Sequence, residues 1–137
     1  MTAFRTHGRR ITTVTFSAAT MLGILTAPAH ASSWSSHLSG AVGFESRRWY
    51  DSGGTNKINF TGCSDNGSNR LVNVTLRKDV TGPDPSYTKA AITNCFTSTS
   101  ATSSGSWADH GSGNYYFVVN DGATSLRVWV KSLTVSY

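Results

Sequence analysis

A serine hydrolase needs a histidine base and an orienting acid beside one serine. Beyond residue 31 this chain holds only His37 and His110, and it has no G-x-S-x-G turn. Asp109-His110 is its most enzyme-like pair, but adjacent residues on an extended chain point apart. Glycoside cleavage needs two facing carboxylates. Glu45 and six scattered aspartates are the supply, and most of those aspartates stand beside Gly, Asn, Ser or Pro, where turn formation explains them. Asp65-Asn66-Gly67-Ser68-Asn69 offers hard oxygen ligands in a tight loop. It lacks the full spacing and the closing bidentate glutamate of a calcium loop. These patterns predict no catalytic residue, no metal site and no cofactor.

The aromatic residues point toward binding instead. Trp34, Trp49, Trp107 and Trp129 are many for a chain of this size. Trp129 is the informative one. Alternation puts it on one strand face with Arg127 and Lys131, opposite Leu126, Val128 and Val130. If the aliphatic set faces the core, the indole stands outward between two cations, which suits a protein or glycan surface. The opposite register would bury Trp129, and alternation alone leaves both open. Arg47-Arg48-Trp49-Tyr50 repeats the same composition and is expected to extend the patch.

Strands must position these groups. Tyr115, Tyr116, Phe117, Val118 and Val119 run without a break, as in a strand covered on both faces. Asn120-Asp121-Gly122 then reads as a turn, so the chain is expected to close in a hairpin. The apolar set changes from even to odd numbers across Lys131-Ser132, which requires a bulge or short turn there. Ile58 and Phe60 mark an alternating strand that runs to Cys63, and Val72, Val74 and Leu76 mark another. Residues 89–96 read as a strand holding Cys95, after the break at Gly82-Pro83-Asp84-Pro85. The Ser-rich run 32–39 reads as a loose arm or a first edge strand. Eight of the ten residues from 97 to 106 are Ser or Thr, so that run is an exposed loop or a polar edge. No window has helical spacing. The expectation is all-β: an antiparallel β-sandwich or small barrel of about six to eight strands with one disulfide.

The N-terminus has a different task. Arg5, His7, Arg9 and Arg10 precede an apolar stretch, and Ala29-His30-Ala31 forms an A-x-A cleavage site. Residues 1–31 therefore read as a secretory signal peptide and 32–137 as a single β-domain. Three of the 12 Lys and Arg residues leave with the signal, so nine face seven acids and the net charge falls from +5 to +2. That balance is no argument for a nucleic-acid partner, and no later stretch is apolar enough to cross a membrane. Cys63 and Cys95 are the only cysteines, and an even count in an exported chain reads as a structural disulfide. The two are expected on neighbouring strands.

With its A-H-A site, its Ser/Thr/Gly/Asn-rich body, one cysteine pair and strands running to the C-terminus, the chain resembles small secreted single-disulfide β-proteins of Gram-positive bacteria. Such proteins include toxin-complex subunits, inhibitors and wall-associated modules. No functional residue follows from that resemblance. Three functions are carried forward. The first is a secreted non-catalytic interaction protein with an extracellular protein partner, as a small subunit or connector of an antibacterial toxin-type assembly. The second is a carbohydrate-binding module for cell-wall or plant polysaccharide. The third is an inhibitor of a secreted hydrolase that presents Arg47-Arg48-Trp49-Tyr50 or the Pro83 loop.

Overall fold

Side chains alternate along a strand, so an apolar residue at every second position gives each strand one inward face. The computed structural model describes residues 31–119 and 127–137. Within them the strands are β1 (Ser33–Ala41), β2 (Trp49–Asp51), β3 (Asn56–Asp65), β4 (Val72–Asp79), β5 (Ser86–Ile92), β6 (Thr102–Trp107), β7 (Gly113–Val119) and β8 (Arg127–Ser136). One 3-10 turn, Asn94–Phe96, precedes β6. The strands form two four-stranded antiparallel sheets, ordered β1-β8-β3-β6 and β2-β7-β4-β5. The chain is a β-sandwich. Residues 1–30 of the stretch read as an export signal, Asn120-Asp121-Gly122 and Leu126 lie outside the described residues.

The inward faces meet as the alternation requires. Ile58, Phe60, Val128, Val130, Leu133 and Val135 of one sheet are buried, as are Val72, Val74, Leu76, Tyr115, Phe117 and Val119 of the other. Phe60 and Phe117 touch edge-to-face across the interface, with ring centroids 5.9 Å apart. All of Tyr115 to Val119 are buried, which fits a strand covered on both faces.

The phase slip at Lys131-Ser132 is a bulge. Ser36 faces Leu133 and Leu38 faces Val130, so two residues of β8 oppose the single His37 of β1. β3 keeps register with β8 through the same point, with Thr61 facing Ser132 and Cys63 facing Val130. Gly62 lets β3 follow: its φ of 65° is in the left-handed region, and a Cβ there would lie 2.7 Å from the Thr99 carbonyl oxygen.

Two expectations are corrected. The chain does not close in a hairpin, because β7 and β8 belong to different sheets. β7 is bonded on both edges by β2 and β4, so β8 pairs elsewhere, between β1 and β3. Cys95 is not in a strand either. β5 ends at Ile92, and Thr97 donates both its backbone N–H and its hydroxyl to the Asn94 carbonyl, at 3.0 and 2.8 Å. Local bonding of this kind competes with a ladder and here wins. The disulfide therefore joins β3 to the 3-10 turn, with Cα atoms of Cys63 and Cys95 5.0 Å apart.

Candidate functional site

Val128 and Val130 are buried, so alternation in β8 turns Arg127, Trp129 and Lys131 outward. Trp129 keeps 40% of its surface exposed although it sits in an interior strand. The ladder explains why. Its neighbours across the strands are Ser39 on β1 and Ser64 on β3, both too short to cover an indole. Arg127 reaches Ser39 Oγ at 3.4 Å, and neither Arg127 nor Lys131 has a carboxylate partner among the described residues.

The rest of this face is polar and ordered by ladder pairing. Ser35, Thr134, Asn59 and Ser104 form one row across all four strands. Ser104 donates to Asn59 Oδ1 at 2.6 Å, and the Ser35 and Thr134 hydroxyls lie 3.3 Å apart. In the next row the hydroxyls of Thr61 and Thr102 are bonded at 2.6 Å. The candidate site is a broad sheet face of hydroxyls and amides carrying one indole and two cations.

Arg47-Arg48-Trp49-Tyr50 does not extend it. β2 lies in the other sheet, and its alternation sends Trp49 inward and Tyr50 outward. Trp49 is 4% exposed and belongs to the core. Its indole N–H donates to Asn56 Oδ1 at 3.0 Å, and Asn56 Nδ2 donates to Asp51 Oδ2 at 2.7 Å. A polar partner for the indole makes burial of this tryptophan possible. Arg48 is bonded to Asp79 at 2.9 Å and Glu45 at 3.3 Å, and lies over the Tyr116 ring at 4.3 Å. Arg47 lies over the Trp34 ring, also at 4.3 Å, on the open side of the sandwich. Tyr50 is exposed, but in a sheet whose outer face points away from that of β8.

The remaining polar groups hold the fold. Asp109 accepts from the Gly111 N–H at 2.7 Å, while the His110 ring stacks on Tyr87 at 3.7 Å. The two side chains thus have separate partners and form no acid–base dyad. Tyr115 donates to the Gly111 carbonyl at 2.6 Å, and burial pushes its pKa up to about 12. Tyr116 donates to Asp84 at 2.6 Å; that bond lowers the Asp84 pKa, and burial raises that of Tyr116. In the loop considered for calcium, Asp65 accepts from the Arg70 N–H at 3.1 Å and Asn66 from the Arg127 N–H at 2.9 Å. Among the described residues no three of His, Cys, Asp or Glu stand together as a metal site would require.

One feature escaped sequence reasoning. Trp34, Leu38, Phe44, Phe117 and Leu133 line an apolar groove between β1 and residues 43–48. Phe44 is the residue that would have signalled it, a large ring in a run otherwise small or charged. Comparison with protein-family models, curated proteins and solved structures finds no match for this chain.

Proposed function

We propose that the chain is an exported, non-catalytic interaction protein that docks an extracellular protein partner on the outer face of β8. One observation carries the reading: Trp129 is an exposed indole on an interior strand, flanked on the same face by Arg127 and Lys131, which have no carboxylate partner among the described residues. Tryptophan and arginine are the residue types that anchor interfaces. The disulfide is consistent with an oxidising compartment, and the basic, apolar, A-x-A start supports export. The role that follows is a small subunit or connector of a secreted assembly, as in antibacterial toxin-type particles. The test is affinity capture of cross-linked partners from culture supernatant. A specific protein retained by the native chain and released by Trp129→Ala supports the reading. A partner held equally by both chains would overturn it.

A glycan is the second reading, favoured by the hydroxyl and amide rows beside the indole. An aromatic platform ringed by polar groups suits a sugar ring. Sedimentation with insoluble cell-wall or plant polysaccharide separates the two, since only a glycan-binding face would pellet. Nothing in the arrangement of Arg47-Arg48-Trp49-Tyr50 favours the inhibitor reading over these.

A further inference from the structure

The two long sides of the sandwich differ. On one, β5 and β6 touch: Trp107 donates to the Thr88 carbonyl at 2.6 Å, and Ala90 packs over Gly105, beside a hollow lined by Tyr87, Trp107 and His110. On the other, β1 and residues 43–48 stand apart and leave the groove open. The groove holds about 120 Å³ and reaches the core residues Phe117 and Leu133. Phe44 closes one end by lying against Gly40, and Arg47 closes the other by lying over Trp34.

β1 is an edge strand. Ser32 and Tyr137 exchange both backbone bonds, at 2.7 and 2.8 Å. Antiparallel alternation then gives Trp34 and Ser36 to β8 and turns the N–H and C=O groups of Ser33 and Ser35 to the free edge. Natural edges are blunted by charge, proline or bulges, and the one bulge here lies at His37, past the half of the edge that carries Ser33 and Ser35. Ser33–Ala41 contains no Lys, Arg, Asp, Glu or Pro. The edge is therefore a ready template for another strand.

The charge around the groove describes what would lie there. Trp34 lines it with its ring, and Arg47 lies over that ring. Among the described residues Arg47 has no carboxylate partner and no acid lines the groove. An occupant that brings negative charge is complementary to the exposed Arg47.

We propose that β1 accepts an extended peptide segment of a partner protein as an added strand, with an aliphatic side chain in the groove and an acidic residue at Arg47. A dry cavity of roughly 150 Å³ holds a benzene ring, so this groove is of the size for a branched aliphatic side chain. Every second residue of an added strand points to the same face. One side chain therefore enters the groove while the backbone bonds to Ser33 and Ser35. This surface is separate from the Trp129 face and does not depend on it.

The probe is a capped peptide of alternating threonine and valine with one flanking aspartate, titrated into the mature oxidised chain and followed by amide NMR shifts. Saturable shifts at Ser33 and Ser35 are expected. Ser35→Pro removes an N–H that faces away from β8, together with the hydroxyl beside Thr134, and should abolish the shift at Ser33, whereas Ser35→Ala, which loses only the hydroxyl, should keep it. Ser36→Phe, which fills the groove, should weaken binding at least tenfold. Arg47→Glu should reverse the preference between the aspartate peptide and its lysine counterpart. Absence of saturable shifts, or binding that survives Ser35→Pro, would overturn the proposal. Shifts centred on Trp129 would overturn it while leaving the other face intact as a docking surface. A dimer in sedimentation that Ser35→Pro dissolves would make a second copy the occupant and equally overturn it.

Discussion

The indole N–H of Trp49 donates to the side-chain oxygen of Asn56 at 3.0 Å, and both residues are buried. Asn56 passes the connection on to Asp51, which also accepts from the Gly53 N–H at 2.9 Å. Removing Asn56 leaves a buried donor and a buried carboxylate oxygen unpaired. Asn56→Ala should therefore cost about 2–4 kcal/mol of stability in urea denaturation. A loss within about 0.5 kcal/mol, the usual size for a surface change, would show that this network is not structural.

Gly62→Ala should destabilise for two separate reasons. Its φ of 65° is unfavourable for a side chain, and the new Cβ would meet the Thr99 carbonyl oxygen at 2.7 Å. The strain alone is of order 1–3 kcal/mol, so a shift in the urea midpoint is expected. An unshifted midpoint would mean that β3 changes phase without needing glycine.

Trp129→Ala separates surface from core. A residue 40% exposed beside Ser39 and Ser64 has little packing to lose, so the melting temperature should stay nearly constant. Binding to the protein partner should weaken by roughly 2 kcal/mol or more, the size of an interface anchor. A stability loss of ~3–5 kcal/mol, typical of a truncated core tryptophan, would refute the outward placement.

The Cys63–Cys95 bond closes a loop with a sequence separation of 32. Loop-closure entropy for that length is on the order of 3–4 kcal/mol. The double variant Cys63→Ala/Cys95→Ala should lose about that much. Alkylation of the purified protein without reductant, read by intact mass, should add no label, and two labels would show free thiols.

Alkaline pH should destabilise the fold through Tyr115. Burial raises its folded pKa to about 12, against an unfolded value near 10. Below the unfolded pKa its contribution to stability is fully present, and as pH rises through the folded pKa it is lost. Tyr115→Phe should flatten the decline between about pH 10 and 12. A decline of the same slope in the variant would assign the effect to other groups.

Much of the fold was legible because its evidence is local. The alternation of Ile58 and Phe60, of Val72, Val74 and Leu76, and of Val128 and Val130 sets which face turns inward wherever a strand forms. The jump of phase at Lys131-Ser132 announced a bulge or short turn for the same reason, but it left two placements of Trp129 open until Val128 and Val130 were found buried. The pairing of β8 with β1 and β3 was not legible. Turn residues permit a reversal after Val119 but do not choose the partner strand. Nor was the fate of Trp49, since its burial depends on Asn56, seven positions later.

The residues by themselves determined strand phase, its break at Lys131-Ser132 and the only available cysteine pair, because each depends on neighbours along the chain or on a count. Tertiary structure decided what depends on distant segments meeting. It placed Trp49 and Trp129 in different sheets, one against Asn56 and the other against serines too short to cover it. It also brought Phe44 to β1 and left an apolar groove beside that edge, because the contact of β5 with β6 lies on the opposite side.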